Sequence, residues 1–443
     1  MVDMRVMSVT LTEVHSEAGA PVSPPTRKVV AAAVVTNPLA AKPLVSDDAV
    51  LDDLPPAPGF SPSMGFASRR ASADLGGGPK LSAPPRPMVA RPAIAKPLPP
   101  AAPRAEHSPW RMSVAPMMDW TDRHCRYFHR LLTRQTLLYT EMVNAGAIIH
   151  GGTERHLRFN AEEHPVALQL GGNEPDKLAE AARLGAQWGY GEINLNCGCP
   201  SDRVQRGAFG ASLMKSPQLV ADCVKAMKDV VSVPVTVKHR IGIDKVEDYG
   251  FVRDFIGTVA EAGCTVFIVH ARNAWLQGLS PKENRDVPPL RYEVVHRLKA
   301  EFPQFTIAIN GGIQTDGVVL EQLDHLDGVM IGREAYHNPW WLARWDQLYY
   351  GGAPCPLTRE EVELAMVEYM EREAAVHGTP WPHIARHMLG LRHSLPGARI
   401  WRQVWSNHLL KDRPAREVHA LAMQAYANAP ESSADPAAQA LAA

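Results

Sequence analysis

Cys199 stands directly after a stretch with the pattern of a β-strand and directly before a proline. Residues 192–196 alternate polar and apolar side chains, which predicts a half-buried strand. Pro200 has no backbone N–H to give to a sheet, so the strand must end before it. The thiol therefore lies on a loop after the carboxyl end of a strand. In barrels of alternating strands and helices, this is the end that carries the chemistry.

Three interpretations of the Cys199 thiol have to be compared. With Cys197 it forms a Cys-x-Cys pair, but a closed zinc site needs about four ligands, which usually come in two pairs. The remaining cysteines stand alone, at Cys125, Cys223, Cys264 and Cys355. This disfavours a metal, and inert packing is the interpretation for Cys223 and Cys264. For Cys199, beside basic residues such as Arg203, packing and a role as acid or nucleophile both stay open at this point.

The composition limits the class of protein. The chain has 443 residues and a net charge of −1, so any RNA-binding surface must be local. Six cysteines without a disulfide pattern favour a reducing compartment, and we expect a cytoplasmic protein. No run approaches the ~18 apolar residues of a membrane span, and the apolar stretch 29–35 lies too far from the start for a secretory signal.

Residues 1–107 and the last residues differ from the rest of the chain. The first 107 residues contain 18 of the 38 prolines and two aromatic residues, Phe60 and Phe66. A segment of this kind has too little apolar area to offset the entropy of ordering it, which predicts a disordered Pro/Ala-rich extension. Residues 429–443 are rich in alanine and serine and predict a frayed tail.

Between these ends, short apolar runs alternate with helical patterns. The predicted strands are 112–115, 137–140, 166–170, 192–195, 235–238, 266–270, 306–310 and 328–331. The predicted helices between them include 176–187, 218–230, 251–262, 292–301 and 318–323. Eight strands that alternate with helices predict a closed parallel (β/α)₈ TIM barrel over residues 108–347. A helix over 358–376 then opens a predicted C-terminal helical domain, residues 348–428.

Polar residues follow nearly every predicted strand. Gln169, Lys238, His270 and Asn310 stand at or near the ends of strands three, five, six and seven. Each alone has a simpler interpretation, such as a hydrogen-bonded structural histidine at His270 or a strand-end cap. Because the carboxyl ends of barrel strands meet at one rim, their recurrence there favours a binding site.

Glycines follow the last two strands. Gly311 and Gly312 follow strand seven, and Gly332 with Arg333 follows strand eight. Loops at these two positions form phosphate sites in many barrels, and glycines let backbone amides approach a phosphate closely. Arg333 adds a planar fork of donors. Lys238 at the centre of the rim is suited to the electron-rich end of a flavin, and the Gln169 amide to its ring edge.

The segment 381–416 is strongly basic. It contains seven Lys or Arg residues against one acid, Asp412, together with three tryptophans and four histidines. Arg392, Arg399 and Arg402, interleaved with tryptophans, fit a surface for a phosphate backbone. A basic, solvated face of a helical bundle is the alternative, and the pattern alone does not decide between them.

Several ordered motifs together resemble one family. The stretches are 113–128 (SVAPMMDWTDRHCRYF), 138–142 (LYTEM), 169–172 (QLGG), 194–201 (NLNCGCPS), 237–242 (VKHRIG), 270–272 (HAR), 278–285 (GLSPKENR), 310–312 (NGG) and 332–333 (GR). From about residue 110 to residue 407, the chain resembles the bacterial tRNA-dihydrouridine synthases, most closely their A subfamily. The extension 1–107 lies outside the resemblance. Cys197 departs from it, since a small apolar residue is expected there.

The resemblance implies a flavin enzyme that acts on tRNA. Bound FMN would contact Pro116, Met117, Met118, Gln169, Lys238, His270, Asn310, Gly311, Gly312, Gly332 and Arg333. Cys199 would be the catalytic cysteine. The tRNA would contact Asn196, Lys282 and Arg285 on the barrel, and Arg399 and Arg402 on the helical domain. NADPH would be the reductant. We expect no metal and no membrane partner, and we expect a monomer, although the resemblance itself leaves the oligomeric state open.

The implied reaction is reduction of the uracil C5–C6 bond to 5,6-dihydrouridine, at D-loop positions 20 and 20a. Hydride reaches C6, and Cys199 gives a proton to C5; an unperturbed thiol with a pKa near ~8.5 is protonated at pH 7. The uracil must leave its stack to reach the barrel mouth. The alternatives are an FMN barrel that reduces a free small molecule, which needs no basic domain, and a non-catalytic tRNA chaperone.

Overall fold

A computed structural model describes residues 108–246 and 248–429. The extension 1–107 and the tail beyond Ala429 lie outside the described residues, so disorder and fraying there stay predictions. Among the helices that are described, none is both long enough and apolar enough to cross a membrane.

Eight parallel strands close into a barrel in chain order, with β8 paired to β1. The strands are β1 Met112–Val114, β2 Leu137–Asn144, β3 Val166–Gly171, β4 Glu192–Cys197, β5 Val235–Arg240, β6 Val266–His270, β7 Thr306–Asn310 and β8 Gly328–Ile331. The predicted (β/α)₈ barrel followed by helices is therefore confirmed.

Helices surround the barrel and continue beyond it. In the barrel part they are α1 Arg123–Leu132, α2 Ala145–His150, α3 Thr153–Leu157, α4 Pro175–Trp188, α5 Asp202–Arg206, α6 Pro217–Lys228, α7 Tyr249–Glu261, α8 Tyr292–Glu301, α9 Asp316–Leu323 and α10 Arg333–His337. Then follow α11 Trp345–Tyr350, α12 Arg359–His377, α13 Pro382–Ala385, α14 Ala398–Trp405 and α15 Ala415–Ala427. The predicted boundary between residues 347 and 348 falls inside α11, and the division into domains stays a prediction.

Four strands run further than the sequence pattern predicts. β3 continues by one residue, and β2, β4 and β5 continue by two to four residues that include Glu141, Asn196 and Arg240. Parallel pairing extends to this end of the sheet, with Asn196 opposite Lys238 and Arg240 opposite His270. These polar residues therefore belong to the strands, and the backbone pairing holds them at the rim.

A buried carboxylate organises the helical part. Glu363 on α12 accepts hydrogen bonds from the Trp401 and Trp405 indoles, at 2.8 and 3.0 Å, and from Arg392 at 3.0 Å. Arg392 is 1% exposed and both tryptophans are buried. The interpretation of Arg392 and these tryptophans as part of an RNA surface is therefore wrong. Arg392 forms a buried ion pair, and the indole N–H groups serve the same carboxylate.

Removing this carboxylate charge is expected to destabilise the fold strongly. Glu363→Gln leaves the buried Arg392 without its enclosed counter-charge, and we expect the free energy of unfolding to fall by about 3–5 kcal/mol. Glu360→Gln is the matched control, because Glu360 pairs with the same guanidinium from a side chain that is 56% exposed. For that variant we expect a loss below about 1 kcal/mol. Equal losses in urea unfolding would contradict the assigned role of Glu363.

The loop after β1 is tied to the C-terminal helices. Asp122 caps α1 and accepts hydrogen bonds from Arg386 and His387, each at 3.0 Å. Burial opposes ionisation of Asp122, but His387 and Arg386 help to hold its pKa far below the usual range. In the same loop, Trp120 stacks on Tyr336 with ring centroids 4.5 Å apart. Arg386, counted in the basic segment, is thus engaged in an internal ion pair.

Candidate active site at the carboxyl rim of the barrel

Side chains from two neighbouring strands hold the Cys199 loop. The Asn196 Oδ1 accepts the backbone N–H groups of Gly198 and Cys199, at 3.1 and 2.9 Å. Arg240 Nε donates to the Gly198 carbonyl at 3.0 Å, and the Cys199 carbonyl accepts from Ala211 N–H at 2.9 Å. The loop is therefore fixed on both faces, and Cys199 itself is partly exposed.

The glycine-rich segment after Cys199 is required by a close backbone approach. Gly210 has a φ of +70°, and a Cβ there would lie 2.6 Å from the Cys199 carbonyl oxygen. Only glycine satisfies both conditions. The Cys199 Sγ lies 3.5 Å from the hydroxyl of Ser201, a neighbour that the sequence reasoning did not assign.

Cys197 does not join the site. The strand period of two places it on the opposite face from Asn196, and it is fully buried near Cys223 and Cys264. Burial raises its pKa well above the ordinary value. The extra thiol therefore packs outside the barrel interior, and the Cys-x-Cys pair does not present two ligands to one point.

Buried and partly buried basic side chains gather at the ends of β5 and β6. His270 lies near Arg240, Lys238, Arg272 and Arg285, and burial together with these charges lowers its pKa well below 6.5. Burial and Arg240 also lower the pKa of Lys238 to about 7, and its Nζ donates to Asn310 at 3.1 Å. So many cations around one partly buried neutral imidazole indicate a site for an anionic ligand.

The Arg240 guanidinium was not among the predicted site residues, although its place at the end of β5 is visible in the sequence. It is 3% exposed and donates to three backbone carbonyls, those of Gly198, Asn273 and Asn284. Lys238 and Arg240 are the cations near Cys199; burial lowers the pKa of both, and a Cys199 thiolate would oppose this. The exposed Arg203, which the sequence suggested, lies on α5.

The glycines after β7 and β8 form a cradle that is open at Gly332. Gly311 and Gly312 have φ values of +124° and +67°, and a Cβ on Gly311 would lie 2.8 Å from the His270 ring. At Gly332, the nearest atom to such a Cβ is 4.0 Å away, on Ala115. The backbone is therefore open to a close approach by a ligand at Gly332, whereas protein atoms lie close to Gly311 and Gly312. Glycine-lined backbone next to cations fits the phosphate of FMN.

Two carboxylates near the rim were not assigned from sequence. Arg333 forms an ion pair with Asp286, and despite partial burial Arg333 lowers the pKa of that carboxyl. Glu141 at the end of β2 accepts the backbone N–H of Asp119, while burial and Asp122 raise its pKa to about 7. Asp286 had no signal in the sequence, and Glu141 had only its position after an apolar strand.

Gln169 is buried at the same rim, and its amide is fixed. Its Oε1 accepts from Asn196 Nδ2 and its Nε2 donates to Asn194 Oδ1, each at 2.8 Å. Each end of the amide retains one further hydrogen-bonding position, which fits the edge of a flavin ring. On the β1 loop, Met117 is buried and Met118 is 55% exposed, and both follow the half-buried Pro116.

The predicted tRNA contacts fall in two places. Asn196 is 8% exposed and uses both ends of its amide internally. Lys282 is exposed and Arg285 half-buried at a 3₁₀ turn after β6, where Arg285 is close enough to lower the pKa of His270. Arg399 and Arg402 both lie on α14, exposed and half-buried respectively.

The amino-acid sequence of this chain is similar to those of known proteins. The family model of dihydrouridine synthase (Dus) matches residues 113–428. The tRNA-dihydrouridine(20/20a) synthase of Vibrio vulnificus is 56% identical over 322 residues, which cover 72% of this chain and 97% of that protein. The protein of the same name from Escherichia coli K12 is 58% identical, over 69% of this chain and 88% of its own length.

A solved structure, a 2-naphthoyl-CoA reductase complex, covers 53% of this chain and 49% of its own, with a TM-score of 0.41 and 12% identity.

Proposed function

The chain belongs to the dihydrouridine synthase family, and we propose that it reduces uridines 20 and 20a of tRNA to 5,6-dihydrouridine with FMN and NADPH. It is a tRNA-dihydrouridine synthase of a flavin-dependent oxidoreductase family. The observation that supports the specific mechanism is the fixed Cys199 loop, which lies at the same rim as the cationic group and the glycine cradle.

The residues at the rim have different roles in the reaction. When bound, FMN reduced by NADPH would supply the hydride for C6 of the uracil. Cys199 then gives its thiol proton to C5, and this proton completes the saturated C5–C6 bond. Arg240 and Asn196 hold the Cys199 backbone, so the thiol reaches the base without rearrangement of the loop.

We assign the FMN contacts by the chemistry of each group. Gly311, Gly312 and Gly332 give backbone access for the phosphate, with Arg333 as its cation. Lys238 and His270 face the negative parts of the cofactor, and Asn310 fixes Lys238 by accepting its Nζ. Gln169 serves the ring edge. On the β1 loop, Pro116, Met117 and Met118 contribute backbone and apolar contact.

We assign the tRNA contacts to both parts of the chain. Lys282, Arg285 and the remaining N–H of Asn196 act at the rim, where the uracil enters. Arg399 and Arg402 on α14 bind the phosphate backbone and so position the tRNA without reading its sequence. A tRNA substrate and six free cysteines support a cytoplasmic location, and the expected monomer stays a prediction.

Removing the charges of Arg399 and Arg402 together is expected to weaken tRNA binding, mainly by reducing the salt-dependent electrostatic contribution to the affinity. If both contact phosphates, the slope of log affinity against log salt should fall by about 1–2 units in the Arg399→Ala/Arg402→Ala variant. Arg416→Ala is the matched control, because this exposed arginine of α15 is already paired with Glu371. Titration of tRNA over a range of salt concentrations measures the slopes. An unchanged slope in the double variant would contradict the assignment.

Reconstitution tests the function itself. The purified protein, loaded with FMN, is incubated with NADPH and unmodified tRNA, and nucleosides are analysed by mass spectrometry. We expect dihydrouridine that depends on both cofactors. A yellow protein that forms none, but oxidises NADPH with a free enone, would indicate the small-molecule reductase instead. A protein that binds tRNA but retains no flavin would indicate the chaperone.

A further inference from the structure

The interior of the barrel contains a continuous column of polar side chains below Cys199. Barrel interiors are usually filled by bulky branched residues. Here the inward positions of β4 are polar, and neighbouring strands add two more polar groups. The polar column consists of Glu192, Thr236, Asn194, Gln169 and Asn196, which are all 8% exposed or less.

Each member of the polar column is bonded to the next. Thr236 donates to Glu192 at 2.5 Å, and Asn194 Nδ2 donates to Thr236 at 2.7 Å. Gln169 Nε2 donates to Asn194, and Asn196 Nδ2 donates to Gln169, each at 2.8 Å. The chain ends where Asn196 Oδ1 accepts the Cys199 N–H at 2.9 Å. It therefore connects the amino end of β4 to the Cys199 loop.

The direction of this chain is determined at both ends. A carboxylate only accepts hydrogen bonds, and Glu192 accepts three, from Thr236, Tyr139 and the Trp110 indole. A backbone N–H only donates, so Asn196 must turn its oxygen towards Cys199. Reversing any one amide between these ends would set two donors, or two acceptors, against each other. The orientation of each amide therefore depends on the others.

We propose that Glu192 and Thr236 are positioning residues, which act through Asn194, Gln169 and Asn196 to fix the Cys199 backbone and the Gln169 amide. They touch neither substrate nor cofactor. Their effect is to fix two groups of the active site, the Cys199 loop and the Gln169 amide, relative to each other. The catalytic role of these residues rests on the proposed function. The hydrogen bonds of the polar column do not depend on it.

Three variants of the full chain test the proposal. Thr236→Val keeps the β-branched shape but removes the hydroxyl, so the column is broken between Asn194 and Glu192. Thr236→Ser restores the hydroxyl. Tyr139→Phe is the matched control, because it removes a donor from the same carboxylate oxygen but lies outside the column. If the valine variant does not fold, Thr236→Ala breaks the same link without placing a methyl group against the amide.

The first readout is alkylation of Cys199 by iodoacetamide, measured by peptide mass spectrometry, with the partly exposed Cys355 as the internal reference. It needs neither flavin nor tRNA. We expect Thr236→Val to raise the alkylation rate of Cys199 about three- to ten-fold. This is the size of effect expected when the support of the Cys199 loop loses one hydrogen bond. Thr236→Ser and Tyr139→Phe should stay within about twofold of the wild-type rate.

The second readout is steady-state turnover on tRNA, where we expect Thr236→Val to lower kcat with little change in KM. A Cys199 alkylation rate in Thr236→Val that is unchanged or lower overturns the proposal. So does an equal rise in Tyr139→Phe, which would indicate general loosening. If the wild-type protein forms no dihydrouridine, the proposed function fails, whereas the alkylation rates still decide the role of the column.

Discussion

Replacing Cys199 by alanine is expected to lower the rate of dihydrouridine formation by about 10²–10⁴-fold, the usual contribution of a positioned acid. FMN content and tRNA affinity should stay near those of the wild-type protein. The reason is geometric: the loop is held through its backbone, by Asn196, Arg240 and Ala211, and none of these bonds needs the thiol. The variant therefore removes the proton donor without moving its surroundings.

Cys197→Ala is the matched control for this loss. Its thiol lies two residues away, but on the outer side of the sheet near Cys223 and Cys264. We expect near wild-type turnover, with a small loss of stability from the lost packing. Single-turnover assays with excess enzyme separate product formation from binding. A Cys199→Ala variant that forms dihydrouridine at the wild-type rate, or a Cys197→Ala variant that is equally impaired, would contradict the assignment of the acid.

Replacing Lys238 by methionine is expected to lower the affinity for FMN about 10–100-fold, the order of one charged hydrogen bond in a partly buried site. The ordinary pKa of lysine, 10.5, is lowered to about 7 here by burial and by Arg240. An anionic ligand favours the charged form of this amine, so FMN binding should take up protons near pH 8. In the wild-type protein the contribution of Lys238 to affinity should therefore decline from pH 6 to pH 8.

Calorimetry in buffers of different ionisation enthalpy measures this proton uptake. The FMN phosphate itself titrates near pH ~6, and comparison with Lys238→Met removes that part. The methionine variant should lack the uptake assigned to the amine. Equal proton uptake and equal FMN affinity in both proteins would exclude Lys238 from the cofactor site.

The same substitution should have the opposite effect on stability. The folded-state pKa of Lys238 is below its unfolded value, so between pH ~7 and pH ~10 the unfolded state binds more protons and stability rises with pH. Below pH ~7 the full cost of the buried charge applies. Lys238→Met should therefore make the flavin-free protein more stable at pH 6, although it binds FMN less well. If Lys238 served only in packing, Lys238→Met should lower both the FMN affinity and the stability of the flavin-free protein.

The pattern of strands and helices was predictable because each element carries its own period. β6, β7 and β8 begin and end where the sequence indicates. β4 and β5 end later than predicted. The prediction ended them too early because a polar side chain at a strand end resembles a loop residue when the partner strand is unknown. Cys197 and Cys199 would share a face if the strand continued, but β4 ends at Cys197 and leaves Cys199 on the loop. The sequence does not reveal that Cys223 and Cys264 lie near Cys197.

The errors at the helical part have a different origin. Arg392 belongs to a basic segment and lies in a turn, and its buried partner Glu363 stands 29 residues earlier on α12. Composition counts such an arginine as surface charge, whereas tertiary packing neutralises it. The polar column was likewise outside the reach of the sequence. The alternation predicts that Glu192 faces one side of the strand, but only the pairing of β4 with β5 brings Thr236 within hydrogen-bonding distance.

The most direct test of the central claim is mass-spectrometric mapping of dihydrouridine in tRNA from cells that lack this protein. We expect the modification to disappear at D-loop positions 20 and 20a alone. It should return with the wild-type chain and with the Cys197→Ala variant, but not with Cys199→Ala. Full dihydrouridine at both positions in the deletion cells, or its return with Cys199→Ala, would contradict the account.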